Sequence, residues 1–194
     1  LAATGAALAA GGHDHSQHAA PPVSIQRSEQ RLQPAAVTLQ RADGRRVALA
    51  SLLDDGRPVM LNFLYTSCTA ICPVTAQVFA EVREQLGPQR DAVNVVSVSI
   101  DPEQDTVARL ADYARRFDAG THWTFLTGSS ADSVAVQKSF RAYQGDKMNH
   151  VPVTFLRAAP GQPWVRLDGF ATPRQLLAEL RPMLAAPRKS ASAR

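Results

Sequence analysis

Val59-Met60-Leu61-Asn62-Phe63-Leu64 is apolar but for one residue, and it runs straight into Tyr65-Thr66-Ser67-Cys68-Thr69-Ala70-Ile71-Cys72-Pro73. A short apolar run of strand formers reads as a buried strand. Pro73 suits the first position of a helix, where its missing N–H costs nothing. The chain is therefore expected to turn from a central strand into a helix here, which points to an α/β fold. Both cysteines of the chain fall on that turn.

Such a turn suits reactive sulfur. Unpaired N–H groups and the positive end of the helix dipole favour a thiolate. With Cys72 in the first helical turn, its sulfur meets that of Cys68. The pair can close as a disulfide or hold one soft metal ion. Two inert buried cysteines, or a structural disulfide, are the plainer alternatives. A disulfide across so short a loop would constrain the unfolded chain little.

Length and composition bound the rest. The chain has 194 residues, 45% of them hydrophobic, which suits one domain with tails. The net charge is +4 with a pI near 9.5. Part of that excess lies in the tail Arg188-Lys189-Ser190-Ala191-Ser192-Ala193-Arg194, read as solvated. No basic stripe alternates with aromatics, so no nucleic-acid partner is expected. An acidic partner or an anionic membrane surface stays open.

Leu1 to Ala10 is small and apolar, like the end of a signal peptide, with Ala7-Leu8-Ala9 as a small-x-small cleavage pattern. It reads equally as the outer end of a membrane anchor lying before Leu1. Either reading implies export, to the periplasm or the outer face of a bacterial inner membrane, where a dithiol meets oxidising conditions. A cytosolic Ala-rich leader is the alternative. His13, His15 and His18 follow in a stretch ending at Pro21-Pro22. They can collect copper, zinc or nickel loosely, or serve as plain polar linker. The expected division is residues 1–35 as leader and linker, 36–186 as the folded domain, and 187–194 as a basic tail.

Val37, Leu39, Val47 and Leu49 alternate with polar neighbours around Asp43-Gly44, a hairpin over Ala36 to Leu49. The helix after Cys72 is expected to bury Val74, Val78, Val82 and Leu86, and to end at Gly87-Pro88. Val93 to Ile100 reads as a second buried strand. A helix capped by Asp105 or Thr106 follows, with Leu110 and Phe117 on its apolar face. Trp123 to Leu126 is a strand, and Ser129 with Asp132 is a capping box for the next helix. Val153 to Leu156 and Val165 to Leu167 are the last strands. Thr172, Pro173 and Gln175 open a final helix that Pro182 should bend or end. This order gives a central mixed sheet flanked by helices with an N-terminal β-hairpin. A dithiol at the first strand-to-helix junction makes it a thioredoxin-like fold.

The chain resembles the Sco (SenC/PrrC) family of copper-assembly proteins. The resemblance runs from about Leu39 to Leu184. It is carried by Phe63-Leu64-Tyr65-Thr66-Ser67-Cys68 with Cys72-Pro73, by Ser97-Val98-Ser99-Ile100-Asp101-Pro102 with Asp105-Thr106, by Phe125-Leu126-Thr127-Gly128, and by His150 ahead of a strand. It implies that Cys68, Cys72 and His150 bind one copper ion, as Cu(I) or Cu(II). It also implies a metallochaperone that delivers copper to, or maintains the thiols of, the binuclear copper site of cytochrome c oxidase subunit II. The residue types agree: thiolates suit Cu(I), and imidazole suits both oxidation states. A lone loop histidine is otherwise most often solvated. Met148 is read as loop or packing, with an auxiliary soft contact as the alternative.

Two features depart from that pattern. Many family members carry Asp between the cysteines, where this chain has Ala70. Val151-Pro152-Val153 resembles the cis-proline loop of thioredoxins and of periplasmic disulfide reductases, with a trans proline at a strand entrance as the alternative. The rival function is thus an exported thiol–disulfide oxidoreductase with Cys68 attacking and Cys72 resolving. Its partner would be another exported thiol protein. A copper-responsive redox sensor is a third reading.

Overall fold

The computed structural model describes residues 25–186. The leader, His13, His15, His18 and the basic tail lie outside the described residues.

Eight strands form one sheet. They are β1 (Gln26–Gln30), β2 (Thr38–Arg41), β3 (Arg46–Ala48), β4 (Val59–Leu64), β5 (Asn94–Ser99), β6 (Trp123–Thr127), β7 (Val153–Arg157) and β8 (Trp164–Asp168), in the order β1-β8-β7-β4-β5-β6-β2-β3. β4 pairs parallel with β5, and β5 with β6, while the other pairings are antiparallel. Five α-helices flank the sheet: α1 (Leu49–Leu53), α2 (Ile71–Leu86), α3 (Val107–Arg116), α4 (Ser130–Ser139) and α5 (Pro173–Ala185). This is the expected thioredoxin-like arrangement. Its hairpin, β2–β3, extends one edge by pairing with β6.

The central strands are buried on both faces, and alternate residues serve different cores. From β4, Met60 and Leu64 face a core with Phe79, Val82, Leu110, Tyr113, Leu176 and Leu180. Val59, Leu61 and Phe63 face a second core with Leu39, Leu53, Val98, Phe140, Phe155 and Trp164. Both cysteines belong to the first core. A polar chain crosses the sheet interior, although Asn62 Nδ2 is left without a partner. Ser97 Oγ donates to Asn62 Oδ1 at 2.6 Å and accepts from Trp123 Nε1 at 2.9 Å.

Several expectations need correction. The folded part starts before residue 36: β1 pairs with β8 from Gln26↔Asp168 to Gln30↔Trp164. Its polar sequence hid a strand whose side chains are mostly exposed at a sheet edge. The buried stripe of α2 is Cys72, Ala76, Phe79, Val82 and Leu86, while Val74 is exposed. The apolar residues four apart misplaced that face. The helix opens at Ile71, so Pro73 is its third residue rather than its first.

Thr106 caps α3, and Asp105 does not. Helix α5 continues through Pro182 to Ala185, near enough to its C-terminus that little ladder remains to be lost. The bond to Pro152 is trans. Helix α1, and the 3₁₀ turns at Gly87–Ala92 and Lys147–Asn149, had no expected counterpart.

Candidate metal centre

The site grows out of the end of β4. Tyr65 follows the strand, and the Cys68 N–H returns to the Tyr65 carbonyl at 3.2 Å, closing a tight turn. That turn places Cys68 beneath the first N–H groups of α2. The Cys72 N–H donates to Cys68 Sγ at 3.4 Å. Ala70, at the N-cap, offers no side-chain acceptor, so the sulfur of Cys68 takes the role of a cap. Cys72 Sγ in turn accepts from the Tyr65 N–H at 3.5 Å. Both cysteines are free thiols.

The two sulfurs are chemically unequal. Burial raises the Cys68 pKa. The N–H groups of Cys72, Ala70 and Ile71, with the Cys72 thiol, outweigh it and hold Cys68 below the ordinary thiol value. Cys72, only 1% exposed, goes the other way. Burial chiefly, and the neighbouring Cys68 charge, push it up against the single N–H of Tyr65. Cys68 is thus the more acidic of the pair, and Cys72 the one that gives up its proton less readily.

The turn is fixed from outside by Asp105, whose side chain is fully buried. Its carboxylate accepts from the Thr66 N–H at 3.0 Å, from Thr66 Oγ1 at 2.6 Å and from Ser99 Oγ at 2.6 Å. Three charge-assisted bonds therefore pin the loop that carries Cys68 to the end of β5. From sequence, Asp105 was one of two candidate helix caps, with Thr106. Its spacing from Ser99 was visible, but its contact with Thr66 spans thirty-nine residues.

His150 lies at the same end of the molecule, on the loop ahead of β7. It is 7% exposed. Burial pulls its pKa below the ordinary value, against a hydrogen bond with the Phe63 backbone. The ring does not complete the site. Among the described residues, no three His, Cys, Asp or Glu side chains meet as a metal-holding group. Tyr65 stands against His150, edge to face, with ring centroids 6.5 Å apart.

The same phenol holds the rest of the loop. Lys147 Nζ lies 5.7 Å from the Tyr65 ring centroid, and Tyr65 Oη donates to Met148 Sδ at 3.9 Å. Lys147 also pairs with Asp101 at 2.5 Å. Asp146 caps the turn by accepting from the Met148 N–H at 2.8 Å. Burial, then the Cys68 side chain, push the Tyr65 hydroxyl up to about 12. Lys147 was not singled out from sequence, and Tyr65 and Asp101 stood in the quoted motifs without a role, because each matters here through a partner distant in the chain.

The donor set fits a soft cation in part. Two apposed thiols, one already favouring its thiolate, are right for a monovalent soft ion. His150 fits chemically, but its ring is packed edge to face on Tyr65 and forms no metal-holding group with the two thiols. His122, outside this site, lies 3.7 Å from Asp91 at the surface.

Comparison with known proteins agrees with the fold and the motif. The chain is similar to the SCO1 protein homolog of Bacillus subtilis, 32% identical over 108 residues, covering 54% of this chain and 55% of that protein. It is similar to the mitochondrial SCO1 homolog 1 of Arabidopsis thaliana, 34% identical over 108 residues, covering 55% of this chain and 31% of that one. The matches thus span about half or less of these relatives' length.

Among solved structures, Bradyrhizobium japonicum ScoI with copper bound superimposes with a TM-score of 0.66 at 29% identity, covering 77% of this chain and 98% of that one. BsSco, a member of the Sco family of cytochrome c oxidase assembly proteins in which a disulfide switch was identified, gives 0.66 at 25% identity, covering 82% and 96%. Arabidopsis thaliana ScoI, also with copper bound, gives 0.61 at 25%, covering 78% and 97%. The SCO1/SenC family model matches residues 27–185, nearly the whole described fold, and the chain belongs to that family.

Proposed function

We propose that this chain is an exported copper carrier, facing the periplasm, that holds one copper ion through Cys68, Cys72 and His150. Its cargo goes to the binuclear copper site of cytochrome c oxidase subunit II, or its thiols keep that site reduced. The observation that carries this is the thiol pair at the N-terminus of α2, with each sulfur met by a backbone N–H. The copper-bound relatives support it.

Cargo binding begins at Cys68, the more acidic of the two thiols. Cys72 gives up its proton as the second bond forms, so loading releases protons and weakens in acid. His150 joins the pair when the 147–150 loop shifts, which strains the Lys147–Asp101 pair and the Tyr65–Met148 contact. A site of two sulfurs and one nitrogen leaves room for an incoming thiolate to displace a protein ligand.

The unequal thiols also suit a second reading, disulfide exchange. The Cys68 thiolate attacks a target disulfide, forming a mixed disulfide and expelling one target thiolate. Cys72, once deprotonated, attacks Cys68 Sγ and expels the other. The target is reduced by two electrons and the pair is oxidised, to be reset by an external thiol reductant.

Anaerobic titration of the reduced chain with Cu(I) against a competing chelator separates the two. One tight equivalent, abolished in Cys68→Ser and Cys72→Ser and weakened in His150→Ala, is the expected result. Rapid reduction of mixed disulfides without tight copper binding overturns the carrier reading. Unchanged stoichiometry after removal of residues 1–20 makes His13, His15 and His18 accessory.

A further inference from the structure

Met148 is the most exposed of the large apolar side chains among the described residues, at 73%. Thioethers usually pack inside, where a flexible apolar chain fills gaps. This one fills none. Its backbone is held by the Asp146 cap, and its sulfur accepts from the Tyr65 hydroxyl at 3.9 Å. Tyr65 is buried, shares the first core with both cysteines, and its hydroxyl has the Cys68 side chain as a neighbour. Met148 Sδ therefore sits one tyrosine away from the thiols, on the solvent side.

Access sharpens the point. Cys68 is 8% exposed, Cys72 1% and His150 7%. These donors are nearly covered, whereas the thioether beside them is open to solvent. A thioether is neutral, binds without losing a proton, and prefers Cu(I) strongly over Cu(II). Displacing it from the Tyr65 hydroxyl costs only a weak sulfur hydrogen bond.

We propose that Met148 is a copper(I) donor at the mouth of the dithiol site, taking the ion from solvent or from a partner and handing it to Cys68. This inference rests on the carrier reading. The exchange is a ligand substitution: the copper–thioether bond breaks as the copper–Cys68 bond forms, with no change in oxidation state. Met148 is then the entry ligand, Cys68 the acceptor, and Cys72 the ligand that closes the site.

The chain has three methionines, Met60, Met148 and Met183, which makes the test direct. The reduced full chain, labelled with ¹³C at the methionine methyls, is titrated with Ag(I) as a redox-inert probe for Cu(I). In the Cys68→Ser/Cys72→Ser variant, where the ion cannot be passed on, the expected result is a shift of the Met148 methyl with buried Met60 unmoved. Met148→Leu, which keeps size and polarity, should take up Cu(I) from a chromophoric chelator more slowly by on the order of tenfold. That is the low end of what losing a supporting group costs a metal site. Its final stoichiometry should be unchanged. If the Met148 methyl of the double-serine variant stays still under Ag(I), or if the Leu variant loads at the wild-type rate, the entry-ligand inference is overturned and the carrier reading stands. If the wild type binds neither Ag(I) nor Cu(I) tightly, both are overturned.

Discussion

The thiol turn and the histidine loop meet at Tyr65, yet they are held in opposite ways. The turn is bound by backbone: N–H groups from Tyr65 and Cys72 reach the two sulfurs, and a fully buried carboxylate fastens Thr66. The loop is bound by the ends of side chains. These are a half-exposed lysine on Asp101, a thioether under a phenol, and a ring edge to face with another. Backbone contacts in a buried corner resist opening, whereas single side-chain contacts at the surface break one at a time. A carrier needs both: a fixed pair of donors to define the site, and a third on an element able to close over the cargo.

The largest effect should come from breaking the fixed half. Asp105→Ala strands the Thr66 and Ser99 donors, and is expected to cost about 3 kcal/mol. It should be read as a lowered denaturant midpoint with an unchanged slope. A loss below about 0.5 kcal/mol would mean that the turn is held by something else.

Alkylation resolves the two sulfurs within that half. Cys68 lies below its ordinary pKa and Cys72 above it, so iodoacetamide should label Cys68 at least about tenfold faster at neutral pH. Cys68 labelling should fall as the pH drops through its lowered value. Equal rates at the two cysteines, read by peptide mass spectrometry, would erase the asymmetry.

The loop offers a smaller, pH-dependent effect. Folded His150 has a pKa below that of the unfolded chain. Above the unfolded value of about 6.5 both states are neutral, and nothing is gained or lost. As the pH falls below it, the unfolded chain takes up a proton that the folded ring resists. Stability drops by up to about 1.4 kcal/mol per pH unit, then levels off below the folded pKa. His150→Gln should flatten that stretch of the acid stability curve. A curve unchanged in the variant would assign the acid loss elsewhere.

Smallest of all, Lys147→Ala should leave the thermal midpoint in place and speed amide exchange at residues 147–151. The effect of salt on wild-type exchange should point the same way, because the Lys147–Asp101 pair is partly solvent-exposed.

Much of the architecture was readable from local pattern. The capping boxes at Ser129/Asp132 and Thr172/Gln175 form as expected, because a cap needs only residues three apart. The runs at β4 and β5 are strands buried on both faces, as their continuous apolar character implies. β1 escaped notice because an exposed edge strand carries no such run.

Sequence alone determined that two thiols stand where a buried strand yields to a helix, since a strand, a tight turn and a helix start are all short-range structures. It also determined the soft character of the donors. Only the tertiary structure decided that Cys68 and Cys72 differ in acidity. That difference depends on which sulfur faces the N–H groups of α2 and which is sealed in the core. Tertiary structure likewise brought Tyr65 against both the thiol turn and His150, and left Met148 in solvent. Those positions follow from contacts between β4 and a loop more than eighty residues away, a separation that no local periodicity encodes.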